Sequence, residues 1–452
     1  MTNRCVYEEH LSSGVNHLEL GTRREISESL SGVNLVQPIE EVKEVPQRSA
    51  SFLRRTFQAF HFRDFRLMWI GACTSQIGTQ IQTTAQSWTV LQLSHNPFYL
   101  GVDQFLGQIP IAVLALLAGV LADRRDRRRV LLGSQYTQLA CAFIMAALAF
   151  TGVLKVWHIW CISFVVGTAQ AFGSPSYSAL VPTLVPREHL PNAIALNSIQ
   201  FNLARVIGPS IAGIALLTLG AGWCFSLNGI SFFAVIAMLY VIQVSFIPQR
   251  SSERVIDSMK QGIRFIGGQE GMKAVIVLAF LITFLGFQTI AFLPVFASQV
   301  FHGKPTTYSA MLSFSGAGAV AGALLVAGLG KAKHQGRNAL IALCVLGVLT
   351  VAFALSPSVA FSCAMIFLAG IALMSVFAMI SSLVQMMTPD NMRGRVMSVF
   401  NLALRGGGPI GSVIAGALIR KFHAPIVIAS AGGLMLCMGL FFLTVHRRVA
   451  RL

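Results

Sequence analysis

With 54% hydrophobic and only 11% charged residues among 452, this chain is too apolar for a soluble protein, whose domains carry about a quarter charged residues. Its mean hydropathy of +0.68, with charge confined to short segments between apolar runs, describes a polytopic membrane protein. The net charge of +17 does not make it a nucleic-acid binder, because such proteins gather basic residues on one soluble face.

The chain opens on a polar segment. Its first 50 residues hold eight acids, five bases and one aromatic, Tyr7. No basic stretch followed by an apolar one marks a signal peptide. Residues 1–55 are expected to form a disordered cytoplasmic tail. Apolar runs of about 20 residues, enough to cross the hydrocarbon, then follow near 67–92, 99–122, 130–153, 156–181, 193–219 and 222–246. After the charged segment 247–272 come six more, near 273–299, 307–330, 337–356, 358–387, 395–420 and 424–446. The predicted organisation is an N-terminal half over 56–246, a cytoplasmic linker over 247–272, a C-terminal half over 273–446 and a short cytoplasmic tail over 447–452. The fold class is an all-α membrane protein with twelve transmembrane helices in two six-helix halves.

Lys and Arg set the orientation. With the N-terminus inside, 28 of the 34 lie in inside segments and 4 in outside loops, and Arg205 and Arg405 fall within spans. The bias recurs loop after loop, so both termini are expected in the cytoplasm. The eight cysteines form no C-x-x-C pair and mostly fall inside apolar runs. They read as small core residues rather than a disulfide framework or a metal site.

The halves repeat at an offset near 200. Phe201-Asn-Leu-Ala204 returns as Phe400-Asn-Leu-Ala403, and Arg205 with Gly208-Pro209 returns as Arg405 with Gly408-Pro409. Gly78-Thr-Gln80 falls against Gly286-Phe-Gln288, and Gly119 against Gly328. Two related six-span halves are the layout of many secondary transporters, with the substrate between them.

Between spans 2 and 3 lies a dense cluster of charge, Asp123 to Arg129. With the residues before and after it, this loop resembles motif A of the major facilitator superfamily, G-x-L-A-D-R-x-G-R-K/R-x-x-L. Gly119, Leu121, Ala122, Asp123, Arg124, Arg127, Arg128 and Leu131 fit the pattern, and Asp126 stands where the motif has glycine. Asp tolerates left-handed backbone better than most residues, so the turn is expected to survive. The resemblance covers about 55–446. Through 65–69, 122–129 and 185–198 it is closest to the transmembrane secretion effector branch, which includes siderophore and macrolide exporters. It implies a proton-coupled exporter of an amphipathic small molecule (drug, macrolide or siderophore), working by alternating access as a monomer in the cell (inner) membrane. In that fold span 2 packs against span 11, so Asp123 would face the N-terminus of span 11 and be stabilised by its dipole. Such a contact exists only while the cytoplasmic side is closed. The alternative is that the loop only fixes topology.

Span 1 carries a polar face at helical period that includes Gln76, Thr79, Gln80, Thr83 and Gln86. Such a face lines an interior cavity or bonds neighbouring helices. Gln76, Gln80, Thr83 and Gln104 are the cavity candidates, with Asn202, Arg205 and Arg405 from spans 5 and 11. The arginines would attract an anionic substrate, or Arg205 would pair with Asp103, or both would be structural. Asp103 is the one acid within the spans. A carboxyl group held away from water can carry a proton, which makes it the proton-coupling candidate; an ordinary wet acid near the interface is the alternative. Gly208, Pro209 and Gly213 resemble part of the antiporter motif of drug exporters, with Ala212 where the motif prefers glycine.

The chain has no G-x-x-x-x-G-K-[ST], H-E-x-x-H or G-x-S-x-G, so nothing points to ATP hydrolysis, a metal centre or a cofactor. A lysolipid or lipid carrier of the same fold is the nearer rival to an exporter, and a polytopic membrane enzyme the more distant one. Replacing Asp123 by Asn should impair efflux from cells while membrane insertion stays normal. Wild-type efflux by a normally inserted variant would reduce the loop to a topology signal.

Overall fold

The computed structural model describes residues 57–124, 126–242, 255–329, 334–445 and 449, and the side chains of 115–125, 255–258 and 329 lie outside the description. The tail expectation for 1–55 therefore lies outside the described residues. So do the side chains of Gly119, Asp123 and Arg124.

Every described span is a helix. The first half comprises α1 (Arg63–Ser94), α2 (Pro97–Arg124), α3 (Arg127–Phe150), α4 (Val156–Leu180), α5 (Leu190–Thr218) and α6 (Ala221–Val241). A linker helix, α7 (Val255–Gly268), follows. The second half comprises α8 (Glu270–Ala291), α9 (Pro305–Leu329), α10 (Gln335–Ala354), α11 (Val359–Met387), α12 (Arg393–Phe422) and α13 (Ala424–Thr444). Ten of these helices are long and apolar enough to cross a membrane on composition alone; the other two long helices are α1, with its polar face, and α2. Beyond Ala291, α8 continues as a turn at Leu293–Val295 and a π-turn at Phe296–Val300. This break seats Phe292 and Phe296 in the core, fully buried.

Local chemistry sets the joints. Asn96 accepts a hydrogen bond from the Phe98 N–H through its Oδ1 at 3.0 Å, and Pro97 stands at the first position of α2. Four histidines, His95, His302, His334 and His423, hold positive φ at helix junctions. Histidine is among the few non-glycine residues enriched there. Asp126 corrects the expectation of a left-handed turn: its φ is −58°, and its Oδ1 caps α3 by accepting from the Arg128 N–H at 2.9 Å. An N-cap carboxylate does the work that a flexible glycine would have done. Arg127 donates to the Ala179 carbonyl near the end of α4 at 3.1 Å. Arg128 donates to the Tyr240 carbonyl near the end of α6 at 3.0 Å. Each cation sits where a helix C-terminus presents free carbonyls, so these two arginines tie the first half together internally.

The two halves pack by one plan. Within them α2 packs on α4 as α9 does on α11, α3 on α6 as α10 does on α13, and α1 on α5 as α8 does on α12. Between them α2 crosses α12 and α5 crosses α9, a pair that the repeat exchanges. Small residues permit these crossings. Gly101 of α2 lies against the Ser412 carbonyl of α12, and Gly416 of α12 against Pro97 and Phe98. Gly213 of α5 lies against Ser309 of α9, and Ser210 Oγ is 2.9 Å from Ser313 Oγ.

Burial shows which end is shut. One apolar core takes buried residues from all twelve spans, among them Trp88, Leu100, Ala212, Phe292, Tyr308, Phe353, Ile366, Ala415 and Ile428. All lie toward the end opposite the described chain ends, and Trp88 stacks on Tyr308 at 6.2 Å. At the terminal end there are two separate cores. One is confined to the first half and includes Phe65, Leu131, Leu180, Leu196 and Phe232. The other is confined to α7 and the second half and includes Ile266, Met272, Leu340, Val384 and Phe400. Among the described residues the buried core is shared at the far end and divided at the terminal end.

Leucine at Gly101 should wedge α2 off the Ser412 carbonyl and open the far end. A single cysteine at Thr83 in a cysteine-free background should then react faster with an impermeant maleimide added from that side. Unchanged labelling in a folded Gly101→Leu variant would mean the crossing does not hold the seal. Arg128→Ala should lower stability by about 1–2 kcal/mol, read as a lower melting temperature. Arg129→Ala, which removes only an exposed 3.5 Å pair with Asp126, should leave melting nearly unchanged.

Candidate transport cavity

Polar residues of the first half converge on a cavity of about 120 Å³. Its lining comes from α1 (Thr79, Gln82, Thr83, Gln86, Ser87), α2 (Asp103, Gln104, Gln108), α3 (Gln138), α4 (Ser163, Gln170) and α6 (Asn228). Asp103 is 3% exposed. Its Oδ1 accepts from Ser163 Oγ at 2.6 Å and its Oδ2 from Gln86 Nε2 at 2.9 Å. Gln86 Nε2 also reaches Ser163 Oγ at 2.9 Å. Below this triad Gln170 donates to Gln138 Oε1 at 3.3 Å, and Asn228 donates to Gln82 Oε1 at 2.7 Å. Neutral donors thus hold Asp103, and its neighbours bond mainly to one another. Close approach makes the cluster possible: Gly167 of α4 lies against the Gly107 carbonyl of α2.

A second cavity, of about 310 Å³, lies between the halves. One wall is a stripe of α4, Ala171, Ser174, Pro175 and Ser178. The facing wall is a stripe of α12, Ser398, Asn401, Leu402 and Arg405, and Ile111 and Ala112 of α2 close the slot. Both stripes run i, i+3, i+4, i+7, so each is one helical face. The helices are antiparallel, which puts Ser178 and Ser398 toward the terminal end and Arg405 deepest. Twelve residues separate Arg405 from Arg393 at the start of α12, or about 18 Å along the axis.

Of the sequence candidates, Thr83, Gln104 and Asp103 line the first cavity and Arg405 the second. Gln76, Gln80, Asn202 and Arg205 line neither. Gln80 packs its Cβ on Gly208, where α1 meets α5. Asn202 bonds back to the Ser198 carbonyl at 2.9 Å. Arg205 lies at the α5–α9 crossing, its carbonyl against Gly316. The suggested Arg205–Asp103 pair does not form: both Asp103 oxygens are taken by neutral donors, Ser163 and Gln86. Gly208 and Gly213 serve as contact points against α1 and α9, with Pro209 buried between them. Ser174, Ser178, Gln138, Ser163 and Gln170 were not singled out in the sequence. Their signal was present as polar residues inside apolar runs on spans 3 and 4.

The comparisons agree with this architecture. The family model described as transmembrane secretion effector matches residues 55–451. Macrolide efflux protein A of Streptococcus pyogenes is 24% identical over 390 residues, covering 83% of this chain and 94% of that protein. The staphyloferrin A transporter of Staphylococcus aureus is 24% identical over 402 residues, covering 86% and 96%. The enterobactin exporter of Escherichia coli O1:K1 / APEC is 24% identical over 393 residues, covering 84% and 91%. Among solved structures, the nucleoside transporter NupG superposes with a TM-score of 0.69 at 14% identity, covering 85% of this chain and 99% of that one. A bacterial homologue of the iron transporter ferroportin gives 0.65 at 16% identity, covering 84% and 98%. With the family match spanning nearly the whole chain and the twelve-helix fold shared with known transporters, this chain belongs to the transmembrane secretion effector family of the major facilitator superfamily.

Proposed function

We propose that the chain is a secondary active exporter, working as a monomer in the cell membrane with both termini cytoplasmic, that moves an amphipathic small molecule outward by alternating access. The observation that carries this reading is the distribution of the cores: one shared by both halves at the far end, two separate ones at the terminal end. With the arginine-rich loop on the cytoplasmic side, the slot between α4 and α12 is reached from the cytoplasm, where an exporter loads. The names of the relatives, an efflux protein and siderophore transporters among them, support outward transport.

Protons are the proposed counter-ion and Asp103 the proposed carrier. Its carboxyl group sits in a cavity among neutral partners that can donate to it or accept from it. Asp103→Asn keeps the shape and removes the exchangeable charge.

The test is efflux of a dye and antibiotic panel from vesicles, with and without an imposed proton gradient. Wild-type protein should drive efflux only with the gradient. Asp103→Asn should bind substrate normally and lose the gradient dependence. Full gradient-driven efflux by the variant would remove Asp103 from coupling, and absence of any outward transport by wild-type protein would overturn the exporter reading.

A further inference from the structure

The two cavities differ in how their polar groups are satisfied. Around Asp103 the donors and acceptors are spent on one another. In the inter-half slot they are not: the side chains of Ser174, Ser178, Asn401 and Arg405, all exposed to it, make no hydrogen bond or ion pair within the protein. Ser398 alone is turned back, onto the Gly394 carbonyl at 2.9 Å. Among the described residues no acid lines the slot. Arg405 is exposed to this space rather than packed into the protein, and a guanidinium with hydroxyls opposite it is a donor set open to an acceptor. The remaining wall, Ile111, Ala112, Ala171, Pro175 and Leu402, is apolar.

We propose that this slot binds a soluble amphipathic organic anion, with its oxyanion group on Arg405 and Asn401, its second polar edge on Ser174 and Ser178, and its apolar body on Ile111, Pro175 and Leu402. The proposal rests on the exporter reading for the direction of transport and on the slot geometry for the charge of the substrate. It selects among substrate classes: an organic acid is favoured, and a cationic amphiphile is disfavoured because it would face the guanidinium with no carboxylate in the lining. Arg205, its counterpart in the repeat, lines neither cavity, so among the described residues Arg405 alone sets the preference.

The test compares two dyes that share a xanthene body, carboxyfluorescein as the anion and tetramethylrhodamine methyl ester as the cation. Binding to the full-length protein in phosphatidylcholine discs is read by fluorescence anisotropy. Wild-type protein should bind the anion at least about tenfold more tightly than the cation. Arg405→Gln should remove that difference, and Arg405→Lys should retain part of it. Preference for the cation, no binding of the anion, or an anion affinity unchanged in Arg405→Gln would overturn the proposal. The wild-type comparison stands even where a variant fails to fold. Adding phosphatidylglycerol to the discs separates a soluble anion from a lipid headgroup: inhibition by this lipid that disappears in Arg405→Gln would assign the guanidinium to lipid and overturn the proposal. Charge-selective binding without outward movement of the dye in vesicles would defeat the exporter reading and leave the anion site standing.

Discussion

The structure depends on a seal that the two halves build together at one end only. In lipid there is no hydrophobic force between helices, so association rests on close packing and hydrogen bonds. The chain meets that requirement with small residues at the two crossings, Gly101 and Gly416 where α2 meets α12, and Gly213 and Ser309 where α5 meets α9. Around them Trp88, Phe292, Phe296, Tyr308 and Ile366 form one apolar core. At the terminal end each half keeps its own core, and among the described residues no buried cluster spans both. A half that is rigid by itself and joined to its partner at one end can rock about that joint. Because the repeat exchanges the α2–α12 and α5–α9 crossings, both crossings can serve as the pivot.

Charge is distributed with the same economy. The motif arginines Arg127 and Arg128 bind helix ends within the first half. They make the first half a unit. α7 adds a mechanical link of its own: a Cβ on Gly262 would come within 2.8 Å of the Arg395 carbonyl, so this helix packs directly on the first turns of α12. Movement of the linker and of the slot-lining helix are thereby coupled.

Much of this was legible in the sequence, for a physical reason. Apolar runs and loop charge are set by the bilayer, which acts on every residue alike, so twelve spans and the two halves could be read directly. The polar face of α1 was also legible, but not which of its members face a void. Gln82 and Gln86 differ from Gln76 and Gln80 by a turn or so, and only the position of α2, α4 and α6 decides that the former pair meets Asn228 and Asp103. Arg205 and Arg405 occupy equivalent positions in the repeat and part company because Arg205 is held at the α5–α9 crossing by Gly316. The helix α7 was hidden because charge in 247–272 read as a loop, although Ile263 and Ile266 sit within it at helical spacing. The histidine turns were invisible for another reason: positive φ at His95, His302 and His334 is fixed by where neighbouring helices end, not by histidine itself.

The inter-half slot links recognition to movement. Its guanidinium comes from α12 in the second half and its free hydroxyls from α4 in the first, so a ligand touching both is bound only while those faces stand at their present separation. Rocking the halves together at the terminal end must narrow the slot and force the ligand's polar contacts to break or to be shared with α2. A ligand that neutralises Arg405 reduces the expense of carrying that charge into a closing, drier space. An empty slot leaves the guanidinium without a partner and opposes the same closure. Occupancy and closure are then favourable together, which is the coupling that alternating access requires.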